Sequence, residues 1–132
     1  DWIWFIRLHP HMLEQKEDIV KKLTNDLDNT ISYNIDEATN LPLYAILPYV
    51  DLHITEWSSV VIEAKEFGVK SLIVHEFGKE LFKQEIDSEF AYYSNDANIL
   101  QSKMRSFISE GKVDNVSHLK SFDALRHYLE SK

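Results

Sequence analysis

No cysteine occurs among the 132 residues, so the chain can build neither a disulfide nor a thiolate metal site, and its redox compartment is left open. Positive charge is also short: 14 Lys and Arg stand against 22 Asp and Glu, for a formal charge of −8. No Lys/Arg cluster reaches the size that duplex binding needs, and the net acidity disfavours an anionic lipid surface. Any anionic ligand must therefore be held locally. Long apolar runs are missing as well; none approaches 18 residues and no basic-then-apolar leader opens the chain, so neither a spanning helix nor a secretory signal is expected.

Several catalytic signatures are absent too. There is no HExxH pair for a zinc hydrolase, no GxGxxG after a strand, no Walker A sequence and no GxSxG elbow. His9, His11, His53 and His75 lack the carboxylate spacing of a metal set, and no metal or other cofactor is expected. His53 falls inside an apolar strand and reads as a packed or hydrogen-bonded core histidine, while His118 and His127 read as solvent-facing. What is present suffices for one ordinary core: 44% of the residues are hydrophobic and 12% aromatic.

Apolar periodicity divides the chain into alternating strands and helices. Residues 2–8 form a nearly continuous apolar and aromatic run ended by His9-Pro10, the pattern of a strand covered on both faces. Leu13, Ile19, Val20, Leu23 and Leu27 predict an amphipathic helix from 13 or 14 to 27, and 30–35 a second strand. Pro42 opens a short helix to Leu47, which Pro48 ends. Strands follow at 52–55, 71–74 and 90–93. Helices are expected at 59–67, closed by Gly68, at 77–84, from an Asn95 or Asp96 cap to 109, closed by Gly111, and at 116–129. Short apolar strands alternating with helices predict an α/β, Rossmann-like three-layer domain over 1–132, with a parallel sheet of about five strands. In such sheets ligands collect at the carboxyl ends of the strands.

The segment DLHITEWSSVVIEA, residues 51–64, carries the strongest local signal. A short apolar strand runs into a polar turn and then a helix, with Ser58 or Ser59 at the N-cap. Backbone N–H groups and the positive end of the helix dipole would face the crevice beyond the strand and favour a phosphate there. Glu63 comes about one turn later and can accept hydrogen bonds from a sugar diol joined to that phosphate. The same residues also fit a plainer arrangement in which Ser59 only caps the helix and Glu63 is an ordinary first-turn acid. Lys79, in the segment after the fourth strand, either offers a cation or is a solvated turn residue.

FIRLHP at one strand end, then DLHITEWSSVVIEA and GVKSLIV, resembles the C-terminal nucleotide-binding half of GT-B glycosyltransferases. The motif wording is similar to bacterial capsular polysaccharide and CDP-glycerol glycerophosphotransferase-type enzymes over roughly residues 2–96. The resemblance implies a cytoplasmic donor-binding domain of a transferase that builds surface polysaccharide, with a nucleotide-diphosphate-sugar as substrate. Ser58 and Ser59 would hold the donor diphosphate, Glu63 the ribose, and Arg7 and His9 a donor phosphate, with His9 as the catalytic contact to the leaving group. It also implies a preceding domain for the glycan acceptor, so the chain, which opens on DWIWFIRLHP, is expected to be a C-terminal fragment. Alone it would be inactive and prone to self-association, and any contact with the inner membrane face would come through the missing part.

Two departures from the pattern stand out. Glu56-Trp57 replaces the usual Asp-Tyr, and Glu63-Ala64 is closer to sugar-nucleotide transferases and UDP-sugar epimerases than to glycerophosphotransferases. The family's first strand is missing, which leaves a sheet order of 2-1-3-4-5. The alternatives are a glycerophosphotransferase or epimerase-like domain, or a non-catalytic flavodoxin-like interaction domain. A receiver is disfavoured, because the first strand ends in His-Pro and the third in Thr-Glu.

Overall fold

A computed structural model describes residues 2–112 and has the expected α/β character, with parallel strands flanked by helices. The helix expected over 116–129 lies outside the described residues. The chain divides into two compact units, the first ending at Ile46 and the second beginning at Leu47. The strands form two ladders, β1-β2 in the first unit and β3-β4-β5 in the second. Among the described residues, no helix is long and apolar enough to cross a membrane.

In the first unit, β1 (Ile3–Phe5) pairs in parallel with β2 (Ser32–Asn34), Ile3 opposite Ser32 and Phe5 opposite Asn34. The strand stops at Phe5, where its pairing with β2 ends, short of the predicted Leu8, and a 3-10 helix, Pro10–Gln15, precedes α1 (Lys16–Asp26). Proline near the first helical position supplies a preset φ, so the chain turns helical before the apolar periodicity of α1 begins. Lys16 pairs with Asp36 at the start of α2 (Asp36–Asn40), a helix the periodicity did not announce. That helix is set locally: the Asn34 side chain accepts from the Ala38 N–H at 3.1 Å, and Asp36 and Glu37 lie in the first turn. A last short helix, α3, runs Leu43–Ile46 after Pro42.

One expectation for this unit is corrected. The apolar run of β1 is not covered on both faces; Trp2, Ile3, Trp4 and Phe5 are all exposed, Ile3 by 70%. An apolar run of this kind records composition without saying which surface lies over it, and a two-stranded ladder cannot bury both faces of its own strand.

In the second unit, β3 (His53–Thr55), β4 (Ser71–Ile73) and β5 (Ala91–Tyr93) form a parallel ladder with β4 at the centre. Every β4 residue is buried, as expected for the middle strand of a sheet flanked by helices. Val61 of α4 (Val60–Glu66), Ile73, Ala91 and Phe82 make the core, with Ile86 of α6 (Lys83–Asp87) and Tyr93 packed on it. Between β4 and α6 lies α5 (Glu76–Leu81). Asp96 caps α7 (Ala97–Glu110), its carboxylate accepting from the Asn98 and Ile99 N–H groups. Lys70 bridges to Glu110 at 2.9 Å, and this hydrogen bond holds the Glu110 carboxyl below its usual range.

Two helices in this unit end in the same way. After α4, Val69 N–H reaches Ala64 C=O and Gly68 N–H reaches Lys65 C=O, with Gly68 at φ 73°. After α6, Phe90 N–H reaches Glu85 C=O and Glu89 N–H reaches Ile86 C=O, with Glu89 at φ 65°. Both are Schellman caps, but the second places a glutamate where the left-handed conformation favours glycine. Gly68→Ala should therefore destabilise the second unit by about 1 kcal/mol or more, and Glu89→Gly should stabilise it by up to about 1 kcal/mol. Chemical denaturation of the two variants checks the opposite signs.

Candidate functional site

The turn between β3 and α4 is held by its own hydroxyls. Thr55 Oγ1 accepts from Ser58 N–H at 3.1 Å, and Ser58 Oγ accepts from Val60 N–H at 3.2 Å. Backbone bonds take two more donors: Val61 N–H reaches Ser58 C=O and Ile62 N–H reaches Ser59 C=O. Ser59 stands at the N-cap position, but its side chain makes no capping bond. The capping work falls to Ser58 instead. Its Oγ, used here as acceptor, still has an O–H to donate.

Ser59 is thus left with an N–H and a hydroxyl that have no partner among the described residues. Glu63, one turn along the same helix, is exposed and its carboxylate is likewise unpartnered. Ser58 and Ser59 lie in the turn that follows β3, and Glu63 lies four residues beyond Ser59 within α4.

A second group adjoins this turn. Trp57 makes T-shaped contacts with His75 (centroids 4.9 Å apart) and Phe77 (5.9 Å), so the β3–α4 turn and the β4–α5 segment meet through aromatic rings. His75 caps α5, its Nδ1 accepting from Phe77 N–H at 3.0 Å. With Nδ1 as acceptor, the neutral ring carries its proton on Nε2. Gly78 is the hinge of this meeting: a Cβ there would lie 2.0 Å from the Glu56 carbonyl oxygen and 2.6 Å from Ile73 Cγ2. The sequence shows Trp57 and the His75-Glu76-Phe77-Gly78-Lys79 segment after the fourth strand, but not that the two meet. Lys79 is exposed on α5, with its ammonium 5.2 Å from the Tyr93 ring centroid.

Arg7 and His9 lie in the first unit. Arg7 Nη1 donates to Ala38 C=O at 2.8 Å and to Leu41 C=O at 2.7 Å, closing the carboxyl end of α2. That end of a helix holds unsatisfied carbonyls and the negative end of the dipole, which a guanidinium suits. Arg7 therefore has a structural partner, and its remaining N–H groups are what it could offer a phosphate. His9 caps the 3-10 helix through Nδ1, which accepts from His11 N–H at 3.2 Å, and its ring stacks on that of His11 at 4.7 Å. As with His75, the neutral tautomer puts the proton on the exposed Nε2.

His53 is half-buried and hydrogen-bonded, as its strand context indicated. Its Nδ1 lies 2.9 Å from the fully buried Ser71 Oγ, its partner in the β3-β4 register. Burial lowers its pKa from 6.5 to about 4. Elsewhere in this unit a cleft of about 450 Å³ is lined by Lys70, Tyr92, Lys103, Phe107 and Glu110 among others, and none of the predicted site residues borders it. Its two ammonium groups already lie over the Tyr92 and Phe107 rings.

Two outcomes follow for the second unit. The unfolded chain binds a proton at His53 near pH 6.5 and the folded one only near pH 4, so stability should be full above about pH 6.5 and fall as pH drops toward 4. The loss attributable to this group is of order 1–3 kcal/mol, seen as a difference between the wild type and His53→Asn in denaturation at pH 7, 5.5 and 4.5. Gly78→Ala should cost about 1–3 kcal/mol by forcing α5 off the Glu56 carbonyl, and should broaden or shift the Trp57 indole N–H resonance.

No family model, curated protein or solved structure matches the chain. The chemistry of the site rests on its own residues and on the motif resemblance.

Proposed function

We propose that the chain is the donor-binding domain of a glycosyltransferase that draws on a nucleotide-diphosphate-sugar to build a surface polysaccharide. The observation that carries this reading is the free polar set at the carboxyl end of β3: the Ser59 N–H and hydroxyl, the Ser58 O–H, and one helical turn on the Glu63 carboxylate. Its order, donors first and acceptor second, matches a diphosphate followed by a ribose diol. A plain capping role would engage the Ser59 side chain with the helix, and it is not so engaged.

In this reading Ser58 and Ser59 donate to the diphosphate, whose charge grows as the glycosidic bond breaks, and fixed donors lower the cost of that growth. Glu63 orients the nucleoside through its ribose hydroxyls. Acceptor binding and the base belong to a domain outside this chain.

A nucleoside diphosphate added to the labelled chain should shift the amide resonances of residues 55–63 more than those of α7. Glu63→Gln should weaken its binding by roughly 1–3 kcal/mol, and that loss should vanish with a 2′,3′-dideoxynucleotide, which lacks the diol. Uniform or absent shifts at millimolar nucleotide, or an equal loss with both nucleotides, would remove the site assignment.

A further inference from the structure

Strand β5 is an edge of its ladder, and the register shows which of its backbone groups are left over. Ser71 N–H reaches Phe90 C=O and Ser94 N–H reaches Ile73 C=O, so residues 90, 92 and 94 turn toward β4. In a parallel pair the residues between them turn the other way. The N–H and C=O of Ala91 and Tyr93 therefore point outward, and they have no partner among the described residues. Ala91 is only 4% exposed, and a buried backbone group without a partner is uncommon.

That edge opens into the cleft of about 450 Å³. Ile86 and Ala91 reach it from the face packed by Val61 and Phe82, whereas Tyr92, Lys103 and Phe107 reach it from the face under α7. Residues from both faces line one cleft because it runs along the outer side of β5, between α6 and α7. Lys70, Glu89 and Glu110 place it at the amino ends of β4 and β5, the opposite end of the ladder from the turn after β3.

We infer that this edge is a docking groove for an extended peptide, taken up as one more strand beside β5 and carrying a basic side chain for Glu89 and an acidic one for Lys103. The groove is separate from the donor-binding reading and does not depend on it. In strand addition the backbone bonds supply affinity and the side chains supply selection.

Charge and backbone conformation argue for that occupant. Lys70 is already matched by Glu110. Lys103 makes no ion pair among the described residues, and its ammonium lies 4.7 Å from the Tyr92 ring centroid, beside the open edge. Glu89 has no side-chain partner among them either, and it stands at φ 65°, where a glycine would close the same cap without strain. The cap itself does not call for a carboxylate there. A simple anion would meet Glu89 and Glu110 as well as Lys103, whereas a peptide of both signs satisfies both free groups. A second copy fits less well: with residues 91 and 93 of two β5 strands paired about a two-fold axis, Tyr92 lies on the axis and each Lys103 faces its own copy.

The test uses the whole isotope-labelled chain and two acetylated, amidated pentapeptides, Val-Lys-Val-Glu-Val and Val-Glu-Val-Lys-Val, one for each strand direction. In the free chain the Ala91 and Tyr93 amides should exchange with deuterium faster than that of Tyr92. One of the peptides, at millimolar concentration, should slow both and shift their resonances while leaving residues 55–63 unmoved. Glu89→Gln and Lys103→Gln should each weaken that peptide about threefold to fivefold, as for a partly screened ion pair. N-methylating either the odd or the even peptide positions should abolish binding in one pattern only, since a strand offers alternate N–H groups to its neighbour. The groove is overturned if neither peptide moves Ala91 or Tyr93, or if neither charge variant changes the affinity. It is overturned as well if both amides are as protected as Tyr92 before any peptide is added: protection lost on dilution would then mark a second copy, and protection kept would mark another part of the same chain.

Discussion

The backbone of α5 can lie against the turn after β3 only because residue 78 has no Cβ. An alanine methyl there would collide with the Glu56 carbonyl and with Ile73, a residue of the central strand. This single close approach sets how far apart the carboxyl ends of β3 and β4 present their loops. Trp57 meets His75 and Phe77 as a consequence. The tolerance is small, because packed protein cannot absorb a methyl group without moving backbone.

Polar groups in the β3–α4 turn divide into those that hold the turn and those left over. Thr55 and Ser58 take two N–H groups that would otherwise be orphaned at the helix start, so the turn is stable without a ligand. Ser59 and Glu63 are the remainder. Neither the Ser59 N–H and hydroxyl nor the Glu63 carboxylate has a partner among the described residues. The two strand-end histidines follow a related rule in their separate units. His9 and His75 each spend Nδ1 on the N–H two residues later, and each is left with Nε2–H as its outward group.

The first unit shows how a residue that reads as a ligand contact can be engaged within the fold. Arg7 is exposed, basic and at a strand end, all of which suit a phosphate, yet two carbonyls at the end of α2 already take its Nη1. Nothing in the local sequence pairs residue 7 with residues 38 and 41; a helix at 36–40 must first exist for its carbonyls to need a donor.

Much of the architecture was legible because it depends on local rules. Apolar alternation and turn residues placed the five strands and most helices, Gly68 and Gly111 were recognisable as helix ends, and Asp96 as a cap, since each acts on neighbours within a few residues. The polar turn was legible for the same reason, down to a serine at the N-cap with an acid one turn on. Other features needed the fold. Which of Ser58 and Ser59 caps the helix turned on a bond from Thr55, and α2 turned on the Asn34 side chain. The exposure of β1, the left-handed Glu89, the fit of Gly78 against Glu56 and the meeting of Trp57 with His75 and Phe77 all depend on segments brought together by folding. Composition and spacing determine which elements can form and which side chains are chemically able to bind; contacts between segments distant in the chain decide which of those side chains are consumed by the fold and which remain free.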